Sequence, residues 1–131
     1  MKRVGLDTSF FVELARGNEE AIRLWQEIVE GENVGIVCLI SVFELKRLSL
    51  RGVIPREFCD VLFEAFRERV CEVKELSWKL LEEAAYISHG IGMSAVDSLI
   101  YTACRDCNEI YTADSDFLKS GKKKPKIILM R

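Results

Sequence analysis

The chain has 131 residues, 49% hydrophobic and 31% charged, with only 2 Pro and 8 Gly. That length suits one domain, and those fractions exclude a disordered, collagen-like or low-complexity chain. Lys and Arg total 19 against 21 Asp and Glu, so the net charge of -2 excludes binding nucleic acid by bulk positive charge and leaves room for a local contact.

In chain order, Arg3-Val4-Gly5-Leu6 reads as a short buried strand that stops at Asp7. Phe10, Phe11, Leu14 and Ala15 follow at helical spacing, and Gly17 ends that helix. Asn18 is placed to cap the next helix, whose apolar positions are Ala21, Ile22, Trp25, Ile28 and Val29, with Gly31 closing it. Residues 33–40 read as a second buried strand. Ser41 begins a helix through Leu50 with Val42, Leu45 and Leu48 inward, ended by Gly52. Pro55 suits a first turn, and Phe58, Val61, Leu62, Ala65 and Phe66 make the next amphipathic helix. Residues 69–73 form a weak third strand. Ser77 caps a helix striped by Leu80, Leu81, Ala84, Ala85 and Ile87, which Gly90 and Gly92 break. Ser94 opens a helix to about Asp106, and two strands follow at 110–112 and 126–130. Short, apolar strands alternating with helices predict an α/β/α sandwich, three layers around a mainly parallel five-stranded sheet. Residues 1–131 are read as a single domain.

No apolar run approaches the ~20 residues of a membrane span, and the apolar stretch after Met1-Lys2-Arg3 stops at Asp7, too soon for a secretory segment. No membrane association and a cytoplasmic location are expected. The five cysteines are odd in number and scattered, as for reduced thiols used as small hydrophobes. Cys104 and Cys107 form a C-x-x-C, for which redox and zinc are the functional readings; it falls at the end of a helical pattern and not before a helix, and no second such pair and only one histidine, His89, accompany it to complete a zinc site, so both are disfavoured.

In parallel sheets, ligands sit outside the carboxyl ends of the strands. Asp7 follows the first strand, and Asp114 and Asp116 follow the fourth. Glu44 and Asp97 each stand three residues after a serine that opens a helix. Each acid has an ordinary structural use: Ser-x-x-Glu is a capping box, Asp7 an N-cap, Asp114 and Asp116 turn residues. As a set they are placed where they could converge on one end of one sheet, and converged carboxylates repel and call for a cation. Oxygen-only donors select Mg²⁺ or Mn²⁺, ions suited to phosphodiester hydrolysis.

Four segments carry a resemblance. Val4-Gly5-Leu6-Asp7-Thr8-Ser9-Phe10-Phe11-Val12 resembles the opening of PIN domains, and Ser41-Val42-Phe43-Glu44-Leu45 their second acidic motif. Residues 94–103 resemble the third, and Tyr111-Thr112-Ala113-Asp114-Ser115-Asp116-Phe117 the last. The resemblance implies a metal-dependent ribonuclease. Chains of this size are similar to VapC-type toxins, which pair with a small antitoxin and are usually homodimers. Asp7, Glu44, Asp97 and Asp114 match the acidic positions, Asp116 a more variable one, and Thr8 or Ser9 and Thr112 the polar positions that orient them.

Lys119, Lys122 and Lys123, in a lysine-rich segment that ends at Lys126, are placed to meet an RNA backbone, as are Lys46 and Arg47 after Glu44. The alternatives are a solvated loop and surface ion pairs. Trp25 and Trp78 lie on helical stripes and are expected in packed positions. Phe10, Phe11, Phe43, Phe58, Leu62, Phe63 and Phe66 make for an apolar core, with a partner surface as the alternative. His89 reads as a helix-end residue. A catalytically silent RNA- or protein-binding module remains the second functional class. A phosphoacceptor of the response-regulator type is disfavoured because the second strand ends in no Asp.

Overall fold

A computed structural model describes residues 1–130. Its core is a five-stranded, all-parallel sheet, β1 (Arg3–Leu6), β2 (Val34–Cys38), β3 (Cys71–Lys74), β4 (Glu109–Thr112) and β5 (Lys126–Leu129), in the order β3-β2-β1-β4-β5. The chain winds outward from β1 to one edge, then returns to build the other. β1 is therefore central, with Gly5 in register with Ile36 on one side and Ile110 on the other.

Side-chain alternation sorts the strands onto two apolar layers. Val4, Leu6, Val37 and Cys71 meet α1 (Thr8–Ala15), α2 (Glu19–Val29), α3 (Ile40–Leu50) and α4 (Arg56–Arg67). Phe11 anchors that layer, edge-on to Phe10 at 5.1 Å, Trp25 at 5.9 Å and Phe66 at 5.4 Å between ring centroids. Full burial of such side chains contributes about 1.5–3 kcal/mol each. Ile36, Cys38 and Ile110 face the opposite layer, with α5 (Trp78–Ile91) and α6 (Ala95–Ala103). Gly5 lets α6 settle there: a Cβ on it would lie 2.7 Å from the Cys104 Cβ and Sγ.

Three expected caps form. The Asn18 side chain accepts from the Glu20 and Ala21 N–H groups, Ser77 from Leu80, and Ser94 from Asp97. The residues around Ser41 behave otherwise. α3 begins one residue earlier, with Leu39 at its N-cap, so Ser41 lies inside the helix and Glu44 beyond its first turn. Gly90 lies within α5; only Gly92, at φ +70°, ends it.

Several apolar stripes are corrected. α2 buries Ala21, Leu24 and Ile28, leaving Ile22 and Val29 at the rim. α4 buries Cys59, Leu62 and Phe66, and Val61 points outward. Trp25 packs as expected, whereas Trp78 is 82% exposed, because α5 is an outer helix whose only fully buried side chain is Ala84. α6 ends at Ala103, three residues short of the expected Asp106. A 3₁₀ segment of about two turns, Ser115–Ser120, follows β4 where the sequence pattern shows only a turn.

Candidate functional site

The carboxyl ends of β1 and β4 meet at Asp7. The Asp7 N–H donates to the Tyr111 carbonyl at 3.1 Å, carrying the sheet ladder one residue past β1. Asp7 is the N-cap of α1, yet its carboxylate does not cap the helix. Instead Oδ2 accepts from the Ser9 hydroxyl at 2.6 Å and the Thr112 hydroxyl at 2.7 Å. Burial pushes the Asp7 carboxyl above its usual range; these two bonds pull against it, and the charge of Asp114 adds to the rise.

Thr112 joins two of the acids. While its hydroxyl donates to Asp7, it accepts from the Asp114 N–H at 2.9 Å. Ser9 works in parallel, accepting from the Ala113 N–H at 2.8 Å. The loop after β4 is thereby fastened to the start of α1. Asp114 then caps the 3₁₀ segment, its Oδ1 accepting from the Asp116 N–H at 2.9 Å.

Asp97 arrives from the opposite layer, in the first turn of α6, held by the Ser94 cap. Burial, together with the charges of Asp114 and Asp7, raises its carboxyl to about 6. Glu44 comes from α3. The Thr8 hydroxyl donates to it and lies 3.0 Å from the buried Ser41 hydroxyl. Burial raises Glu44 also, with the charge of Asp7 contributing.

Asp97, Asp114 and Asp116 each offer a carboxylate oxygen within 4.8 Å of the others. Asp7 and Glu44 stand outside that trio and are linked to it by field and by hydroxyl. Asp7 acts on both Asp97 and Glu44, and Thr112 ties it to Asp114. The trio is an oxygen-only donor set, the chemistry that suits a hard divalent cation. A bound cation would lower the raised carboxyl of Asp97 again, since opposite charge favours the ionised form.

Of the basic candidates, Lys119 and Arg47 are close enough to act on site acids, Asp116 and Glu44 respectively. Lys119 Nζ is 3.5 Å from Asp116. Lys46, Lys122 and Lys123 are exposed, and the Arg47 guanidinium sits 5.9 Å above the Phe43 ring. His89 lies in the last turn of α5. A groove of about 790 Å³ runs along the β3 edge past Phe66, Arg69 and Val73 and is lined by none of Asp7, Glu44, Asp97, Asp114 and Asp116. Ser41 is the site residue hidden by its motif. Its buried hydroxyl braces Thr8, a use that Ser-x-x-Glu does not distinguish from a cap.

A family model for the PIN domain matches residues 4–123. The chain belongs to the PIN domain family. No curated protein matches it. PIN domains are generally metal-dependent nucleases acting on nucleic acid, and this one carries the acidic cluster such activity requires.

Proposed function

We propose that this PIN domain is a metal-dependent endoribonuclease, the toxin of a type II toxin–antitoxin pair, acting as one domain in the cytoplasm. The observation that supports it most is the shared oxygen sphere of Asp97, Asp114 and Asp116 beside the buried Asp7. With Glu44, these acids would hold Mg²⁺ or Mn²⁺. Such an ion, when bound, supplies charge to the phosphate oxygens and lowers the pKa of water.

The protein's own groups do the placing. Ser9 and Thr112 fix the Asp7 carboxylate, Thr8 aims Glu44, and Ser94 holds the helix turn that presents Asp97. Lys119, Lys122 and Lys123 on one side, and Lys46 and Arg47 on the other, offer positive charge to an RNA backbone. The exposed apolar side chains Phe43, Leu50, Val53 and Val61 around α3 and α4 give surface for a small antitoxin and for a second copy in a homodimer. The five free, buried cysteines accord with a reducing compartment.

The test is cleavage of a mixed RNA substrate with Mn²⁺, with Mg²⁺ and with EDTA. Cleavage is expected with either ion, none with EDTA, and none from Asp7→Asn with either ion. Asp7→Asn should remain folded, because it removes a buried charge and keeps the side-chain size. Retention of RNA without turnover in all three conditions would replace the nuclease with a binding module. An Asp7→Asn variant as active as wild type would remove Asp7 from the machinery.

A further inference from the structure

We propose that Cys104 and Cys107 are a redox-active dithiol, a modification site that a hydroperoxide closes into an intramolecular disulfide. The site lies apart from the acids, and its chemistry holds whether or not the protein cleaves RNA.

Cys104 is the C-cap of α6, and Cys107 lies in the turn that leads to β4. The Cys107 N–H donates to the Cys104 carbonyl at 2.9 Å. A turn closed by that bond brings its first and fourth Cα atoms within about 7 Å. Disulfides span Cα separations of roughly 4.4–6.8 Å, so the backbone is already folded for one. The Cys104 thiol donates to the Ile36 carbonyl at 3.9 Å, and the two sulfurs are near enough for each to act on the other's titration. Closing the bond asks for side-chain rotation within a formed turn.

The two sulfurs differ in what surrounds them. Cys104 is sealed between α6 and the β1 backbone, in van der Waals reach of Gly5. Cys107 lines a cavity of about 210 Å³ whose other walls include Arg3, Lys74, Lys79 and Arg105, with the acids Glu83 and Asp106 among them. Water occupies about 30 Å³ per molecule in the liquid, so a small hydroperoxide fits that space. The neighbouring Cys104 thiol holds the Cys107 thiol below its usual range, Arg3 and Lys74 adding to this while burial and Asp106 oppose it. Cys104 is held well above its own range by the proximity of Cys107 and by burial. Cys107 is therefore the sulfur that reacts first, and Cys104 the one that resolves.

The chemistry balances with one peroxide. The Cys107 thiolate attacks a peroxide oxygen and the O–O bond breaks, giving a sulfenic acid and a hydroxide that takes up the thiol proton as water. The Cys104 sulfur then attacks the Cys107 sulfur; the S–S bond forms, the S–O bond breaks, and a second water leaves with the Cys104 proton. In total, two thiols and one hydrogen peroxide give one disulfide and two waters.

Cys38 is the rival partner. It lies in the same layer, close enough for its charge to act on Cys104, whereas Cys59 and Cys71 belong to the opposite layer. The experiment therefore maps every thiol. The reduced full chain is exposed to hydrogen peroxide without denaturant, quenched, alkylated in denaturant, digested and read by mass spectrometry. The expected result is loss of two alkylatable thiols, with Cys104 joined to Cys107 and the other three cysteines alkylated. Cys104→Ser should leave Cys107 as a sulfenic acid that dimedone traps, and Cys107→Ser should leave Cys104 alkylatable. Five alkylatable cysteines, after an exposure that fully oxidises glutathione in a parallel tube, would overturn the assignment. So would a disulfide to Cys38. The mapping on the unmodified chain decides the matter even if a serine variant does not fold.

Discussion

Replacing Asp97 by Asn should stabilise the metal-free protein at neutral pH, and only there. The folded chain raises the Asp97 carboxyl from 3.8 to about 6, chiefly by burial and then by the charges of Asp114 and Asp7. A carboxyl raised on folding is protonated in the native state at pH values where the unfolded chain has already ionised it. Its contribution is fully present below about pH 4 and is lost as pH rises through 6. Two pH units at ~1.4 kcal/mol each set an upper bound of ~3 kcal/mol. Asp97 is partly exposed, so solvent screening reduces the expected effect to about 1 kcal/mol. Asn carries no charge at any pH and escapes the loss. Urea unfolding in EDTA should therefore show Asp97→Asn more stable than wild type by about 1 kcal/mol at pH 7.5, and equal to it at pH 3.5. Saturating Mg²⁺ should reverse the order at pH 7.5, since a ligand at a hundred times its Kd stabilises the protein that binds it by ~2.7 kcal/mol. A variant no more stable than wild type in EDTA at pH 7.5 would refute the reasoning, as would a gain of the same size at both pH values.

Thr112→Val keeps the shape of the side chain and removes the hydroxyl that serves Asp7 and Asp114 together. It should cost about 2–3 kcal/mol in urea unfolding and weaken Mn²⁺ binding measured by calorimetry, with Thr112→Ser recovering most of both. Gly5→Ala places a methyl 2.7 Å from Cys104 and should lower stability by about 1–3 kcal/mol, read as a fall in urea midpoint without a change in slope.

The sequence carried the sheet and most helix ends because those signals are local. A cap needs a side chain and N–H groups two or three residues away, and Asn18, Ser77 and Ser94 satisfy that within one turn. Ser41 shows where local logic stops. It has the same spacing to its acid as Ser94, but its partner Thr8 is 33 positions distant, on another helix. Trp78 and Val61 sat on correct periodicities, yet a period locates a stripe and not what covers it. The 3₁₀ segment at Ser115–Ser120 is too short to show a period at all. The acids themselves were legible from their places after strands and at helix starts. That Asp97, Asp114 and Asp116 bring carboxylate oxygens within 4.8 Å of one another depends on α6 lying close against β1, a separation no spacing along the chain encodes.

The strand order has a consequence for how such a protein comes into being. β1 is the first strand made and the middle one in space, so it waits for neighbours from both later stretches of chain. Asp7 is made well before Asp114 and Asp116, which come from a later stretch of the same domain. A nascent or truncated polypeptide that stops before Glu109 lacks a flank of the sheet and two of its acids at once. The acidic cluster is therefore complete only once the β4 stretch and the residues after it have been made and β4 has paired with β1.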